Sequence, residues 1–188
     1  MRKIAVFLAE GFEEGESLFV IDVLRRAGFK CDSISLNDEL VRGSHDIVVK
    51  ADKIISDEIK DYDMIVLPGG LPGATNLRDN EKVIELVKYF NEDKEKFIAA
   101  ICAAPMVLER AGIIKGRTIT SYPGEKYNDL LKEANYVEDI VAIDDNLITS
   151  RGPATTLPFA YALVDILGGD SEALKKGTLY NMVRESDF

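Results

Sequence analysis

Three short apolar runs, each stopping abruptly at a loop rich in glycine, glutamate or small residues, constrain this chain more than any other feature. They are residues 3–8 (KIAVFL), 63–67 (DMIVL) and 97–101 (FIAAI). Each is too short for a helix and is apolar throughout, which is the pattern of a strand buried on both faces. Between them lie stretches with helical spacing. Residues 16–27 place Leu18, Ile21, Leu24 and Ala27 on one face, with Gly28 as the C-cap, and residues 80–91 face Val83, Ile84, Val87 and Phe90 inward. Strands alternating with helices of this length predict a parallel sheet covered on both sides, a doubly wound α/β domain.

The remaining elements follow from local pattern. A second strand is expected over 30–36, and a small hairpin over 40–50 around Arg42-Gly43-Ser44. A helix over 104–111 is closed by Gly112. A further strand is expected over 117–121, a helix over 126–134, and a hairpin of 141–143 with 147–150 around Asp144-Asp145-Asn146. Pro153 opens a helix that runs to about Leu167. The charged run 92–96 reads as a solvated loop. No repeat, linker or low-complexity segment divides the chain, so residues 1–188 are expected to form one domain.

Charge and cysteine usage narrow the function classes. Thirty-three acidic against 23 basic residues give a net charge of −10, which repels phosphate backbones and anionic lipid. General nucleic-acid binding and a polybasic membrane role are therefore excluded. No run approaches the roughly 20 apolar residues that span a bilayer, and the first apolar run is too short for a signal peptide. Cys31 and Cys102 form neither a disulfide framework nor a zinc motif, and the one histidine, His45, adds no usual metal set. A cytoplasmic protein with reduced thiols and no metal is expected.

In open α/β sheets ligands bind beyond the carboxyl ends of the strands. That rule selects four segments: 10–16, 68–73, 102–105 and 151–153. Cys102 follows a buried strand and precedes a helix, where free N–H groups favour a thiolate; a small core cysteine is the alternative. Glu13 and Glu14 suit a helix start, whereas Glu16 falls towards the inward face, where burial would raise its pKa and make it a proton donor. Pro68-Gly69-Gly70 lacks the pattern of a phosphate loop. Its N–H groups can face a ligand oxygen, or the segment can be a plain turn. Arg151-Gly152-Pro153 reads as an anion clamp or a helix start. Cys31, inside a strand, reads as core, and His45 as a solvated or interface residue.

With these positions laid out, the chain resembles the ThiJ/PfpI superfamily, and within it the subgroup of the parkinsonism-associated protein deglycase and bacterial YajL. The resemblance runs from Lys3 to about Gly169. It is carried by Glu13-Glu14-Gly15-Glu16, DVLRRAG at 22–28, VLPGG at 66–70, AAICAAP at 99–105 and TSRGP at 149–153. It implies a flavodoxin-like, Rossmann-type three-layer sandwich with a mostly parallel central sheet and a small added hairpin, usually as a homodimer. It also implies that Cys102 is a nucleophile on a strained turn and that Glu16 is the protonated carboxyl beside its sulfur. Gly70 and Ala103 then offer N–H groups to a substrate or sulfur oxygen, with Gly69, Tyr122, Arg151 and Pro153 around the pocket.

Many relatives carry a histidine before a proline where this chain has Tyr122-Pro123. A tyrosine orients ligands but is a poor base near pH 7, so mechanisms built on a Cys–His pair, including the amidotransferase and peptidase branches, are disfavoured. His45 matches a hairpin position near the dimer interface. The resemblance implies a cofactor-independent glyoxalase or deglycase acting on a small aldehyde, such as methylglyoxal, or on a glycated amine. A redox sensor or chaperone with Cys102 as sulfinate is the rival, and a binding module with little chemistry the third reading.

Overall fold

A computed structural model of the chain describes residues 1–185; the last three residues of the expected 1–188 domain lie outside the described residues. The strands are β1 (Lys3–Leu8), β2 (Lys30–Ser35), β3 (Leu40–Arg42), β4 (Val48–Lys50), β5 (Lys53–Ile54), β6 (Met64–Leu67), β7 (Phe97–Ile101), β8 (Thr118–Ile119), β9 (Asn135–Tyr136), β10 (Val141–Asp144) and β11 (Leu147–Ser150). The helices are α1 (Glu14–Arg26), α2 (Gly73–Arg78), α3 (Glu81–Glu92), α4 (Pro105–Arg110), α5 (Glu125–Leu130), α6 (Thr156–Ile166), α7 (Ser171–Gly177) and α8 (Tyr180–Glu185).

Seven strands form the main sheet in the order β10-β11-β7-β6-β1-β2-β5. All its pairings are parallel except the hairpin β10–β11 at one edge. Successive residues of β1 feed opposite layers, as the two-residue repeat of a strand requires. Ala5 and Phe7 pack with Val83, Val87 and Phe90 of α3 and with α4. Ile4 and Val6 pack on the other side with Val20 and Leu24 of α1 and with Phe159 and Leu163 of α6. This is the expected mixed α/β sandwich, with β3 and β4 as the small added antiparallel hairpin.

Several local expectations change. Helix α1 begins two residues earlier than the spacing predicts and keeps part of the expected face inward. Val20, Ile21, Val23 and Leu24 are buried, whereas Leu18 is 37% and Phe19 51% exposed. Glu16, expected towards the inward face, is buried there with Ser17 at the sheet end. The strand expected over 117–121 shortens to β8, which pairs with β9 in a separate ladder. Residues 153–155 form a 3-10 turn before α6. Helix α2 and strand β5 carry too little periodicity to be read from sequence.

Candidate active site

Strand β1 lies between β6 and β2, so the chain leaves β1 towards one edge of the sheet and later returns to its other side at β6. The crevice beyond the carboxyl ends at such a reversal is where doubly wound sheets bind ligands. Three segments converge there: the start of α1 after β1, the Gly69-Gly70 turn after β6, and Cys102 after β7.

Cys102 has φ of +63°, a left-handed conformation that is uncommon for a side-chain-bearing residue. It is held there by two backbone bonds: its N–H donates to the Ser150 carbonyl at 3.1 Å, and its carbonyl accepts from Tyr122 N–H at 2.9 Å. The strain is imposed by the sheet end and lifts the side chain out of the strand run. The turn continues into α4, which has only six residues.

Glu16 is fully buried in the first turn of α1. Glu13 caps that helix, its carboxylate accepting from Glu16 N–H at 2.7 Å. Glu16 Oε2 accepts from Gly69 N–H at 2.7 Å, while buried Oε1 has no hydrogen-bonding nitrogen or oxygen partner. The close approach needs a glycine. A Cβ on Gly69 would lie 2.6 Å from the Cys102 Cβ, 2.7 Å from Glu16 Oε2 and 3.1 Å from Ala103 N. Those three distances place the carboxyl, the thiol-bearing carbon and the Ala103 N–H around one point.

Burial raises the Glu16 carboxyl to about 7, against the opposing pull of the Gly69 N–H and the Cys102 side chain. Burial, then the charge of Glu16, pushes the Cys102 thiol up to about 12, while N–H groups of Gly70 and Ala103 pull it down. Burial raises the thiol wherever the carboxyl proton sits, and the charge of Glu16 adds to that only when the carboxyl is ionised. A protonated Glu16 loses its repulsive charge, and a proton on Oε1 turns that orphaned acceptor into a donor towards the Cys102 sulfur. Glu16 and Cys102 are therefore coupled, the thiolate being less disfavoured while the carboxyl holds the proton. The expectation that a helix N-terminus stabilises the thiolate gives way to this arrangement.

A cavity of about 380 Å3 opens over the sulfur, lined by Glu13, Ser44, His45, Gly70, Leu71, Cys102, Ala103, Tyr122, Tyr127 and Pro153. Tyr122 and Tyr127 meet edge to face with ring centroids 6.1 Å apart. Of the residues singled out from sequence, Gly70, Ala103, Tyr122 and Pro153 line this cavity with Cys102, and Glu16 and Gly69 lie beneath it. Arg151 does not join them: its guanidinium donates to the Glu138 carbonyl at 2.7 Å, so it ties down a loop and clamps no anion in this pocket. The sequence reading missed Glu13, Ser44, Leu71 and Tyr127 as wall residues. Glu13 and Leu71 lie in the loops 10–16 and 68–73 that the strand-end rule selects, whereas nothing local marks Ser44 and Tyr127, which come from segments far away in the chain. A larger hollow of about 500 Å3 beside Glu10, Asp38 and Asn76 contains no nucleophile.

Donor atoms of Glu13, Glu14 and His45 lie within 4.8 Å of one another. The Glu14 oxygens are already used by the His45 N–H, the His45 ring and the Ser44 hydroxyl. The cluster is thus a hydrogen-bonded anchor for the hairpin.

The family model for the DJ-1/PfpI family matches residues 2–166. The chain belongs to that family. The Parkinson disease protein 7 homolog of Danio rerio is 38% identical over 183 residues, covering 95% of this chain and 96% of that protein. The crystal structure of Drosophila melanogaster DJ-1beta superposes with a TM-score of 0.88 at 40% identity, covering 95% of this chain and 98% of that one. Oxidised DJ-1 of Toxoplasma gondii gives 0.86 at 33% identity, with coverage of 95% and 98%. Among the described residues of this DJ-1/PfpI member, no helix is long and apolar enough to cross a membrane.

Proposed function

We propose that this chain is a cysteine-dependent glyoxalase or deglycase that converts 2-oxoaldehydes such as methylglyoxal to 2-hydroxy acids without a cofactor. The observation that carries the reading is the buried Glu16 carboxyl, its Oε1 orphaned, sharing the sheet end with Cys102 beneath the open cavity. A thiolate paired with a carboxylic acid is a nucleophile with its own proton donor. Cys102 adds to the aldehyde carbon, and Glu16 protonates the new alkoxide to give a hemithioacetal. As a carboxylate, Glu16 then moves the proton from the first substrate carbon to the second. The Gly70 and Ala103 N–H groups stabilise the developing oxyanion. The deglycase form applies the same steps to an aldehyde already joined to an amine. We place the protein in the cytoplasm, where both thiols stay reduced.

Lactate formation from methylglyoxal by the full chain, with Cys102→Ser as control, tests this. Turnover that disappears in the variant is the expected result. No turnover from protein whose Cys102 is shown to be reduced overturns it. That outcome favours a second reading, supported by the oxidised relative: two equivalents of peroxide oxidise Cys102 to the sulfinate, each peroxide being reduced to water.

A further inference from the structure

The only histidine in the sequence stands at the wall of the reactive-cysteine cavity. Hairpin β3–β4 is docked on the β1–α1 loop by two backbone bonds, Gly11 N–H to the Arg42 carbonyl and Ser44 N–H to the Phe12 carbonyl, each 2.8 Å. At its tip, His45 N–H donates to Glu14 Oε1 at 2.7 Å, and its ring Nδ1 lies 2.9 Å from Glu14 Oε2. Contact this close requires Gly43, where a Cβ would lie 2.2 Å from Glu14 Oε1. A carboxylate accepts only, so Nδ1 carries the proton and Nε2 is left to exchange one with a bound molecule.

The charges around the ring point one way. Glu14 hydrogen-bonds it, and Glu13 at the α1 cap and Asp46 on the hairpin add negative potential, so the imidazole is raised from its ordinary value. Glu14 itself is 5% exposed; burial would raise it, but its bonds from the His45 ring and N–H and from Ser44 hold it at about 2. On the cavity side stand Cys102 and Tyr122, with Tyr127, whose burial raises its phenol and keeps it neutral.

We propose that His45, anchored by Glu14, is the acid–base residue of the Cys102 cavity, serving the substrate's oxygens while Glu16 serves its carbons. The proposal rests on the 2-oxoaldehyde reading above. Once the hemithioacetal has formed, Glu16 carboxylate removes the proton from the sulfur-bearing carbon. The electron pair moves into a carbon–carbon double bond, and the ketone oxygen takes the Nε2 proton of the imidazolium, giving an enediol. Glu16 then returns its proton to the second carbon while neutral His45 takes back a proton from the first carbon's hydroxyl. The product is a 2-hydroxyacyl thioester on Cys102, an isomer of the hemithioacetal, with both residues restored. Water splits the sulfur–acyl bond, releasing the 2-hydroxy acid anion and the thiolate; of the two protons freed, one reloads Glu16 and one goes to solvent.

The test compares alkylation of Cys102 by iodoacetate and by iodoacetamide across pH 5.5–8.5, followed on the Cys102 peptide in the full chain. Taking the ratio of rates cancels thiol ionisation and leaves the charge facing the reagent. In wild type the ratio is expected to fall several-fold as pH rises through the imidazole range. His45→Gln lowers it at low pH and removes that fall; any step left belongs to Glu16. His45→Lys restores a high ratio. With methylglyoxal, His45→Gln loses about 100-fold in kcat with little change in KM, and the imidazole ionisation leaves the pH profile.

An unchanged ratio in His45→Gln overturns the proposal, and so does a changed ratio with unchanged kcat. If wild type makes no lactate, the glyoxalase reading falls and the step sequence with it. The alkylation ratio then decides only whether His45 presents its charge to this cavity, and the acid–base role falls with the turnover.

Discussion

At the scale of single residues, the buried Glu16 carboxyl links stability to pH. Its carboxyl titrates near 4.5 when exposed and near 7 in the fold. Between those values the folded chain binds a proton that the unfolded chain does not, so stability falls as pH rises through this window and is level on either side. The shift bounds the effect at roughly 3 kcal/mol. Urea midpoints at pH 5 and pH 7.5 are expected to differ more in wild type than in Glu16→Gln, which has nothing to ionise. Equal pH dependence in the two proteins would show that the carboxyl is not protonated by its burial. Cys31 is the opposite case: burial pushes its thiol up to about 12, and it stays inert packing.

At the scale of elements, the strand ends and the caps do the positioning. Helix α3 supports the sheet beneath the site through Val83, Val87 and Phe90 and is started by Asn80, whose side chain accepts from Lys82 N–H at 3.0 Å and Val83 N–H at 3.1 Å. Asn80→Ala is expected to cost about 1 kcal/mol in urea denaturation while leaving Cys102 alkylation rates unchanged, because the cap lies outside the cavity wall. A large change in those rates would mean that the helix transmits strain to the Cys102 turn. The elements most legible in the sequence were those with a strong period: β1, β6, β7 and α3 lie within two residues of their expected bounds at either end. Of the expected α1 face Ile21 and Leu24 are buried and Leu18 is not, because the inward side also takes Val20 and Val23 with Glu16 and Ser17.

At the scale of the whole molecule, hairpin β3–β4 and α1 meet at Glu14 and leave Phe19, Ile47 and Val48 about half exposed. We propose that a second copy covers this apolar surface, as the expected homodimer requires; such patches mark association sites. Phe19→Glu is then expected to shift the protein from dimer to monomer in sedimentation velocity. A wild-type monomer at micromolar concentration would exclude this face as the dimer contact. The net charge of −10 keeps the rest of the surface solvated and turns phosphate backbones away.

The α/β class and the strands that end at the site are legible in the sequence, which also singles out Cys102, Glu16 and Gly70 as candidates beside plainer readings of each. Each lies in a segment that follows an apolar strand, and strand burial and turn chemistry are local properties. Only the tertiary structure decided what surrounds the sulfur. It turned Arg151 away to a loop carbonyl and brought Tyr127 and His45 in from distant segments. Packing chooses such partners by shape and charge across the fold, and that choice leaves no period or spacing in the chain.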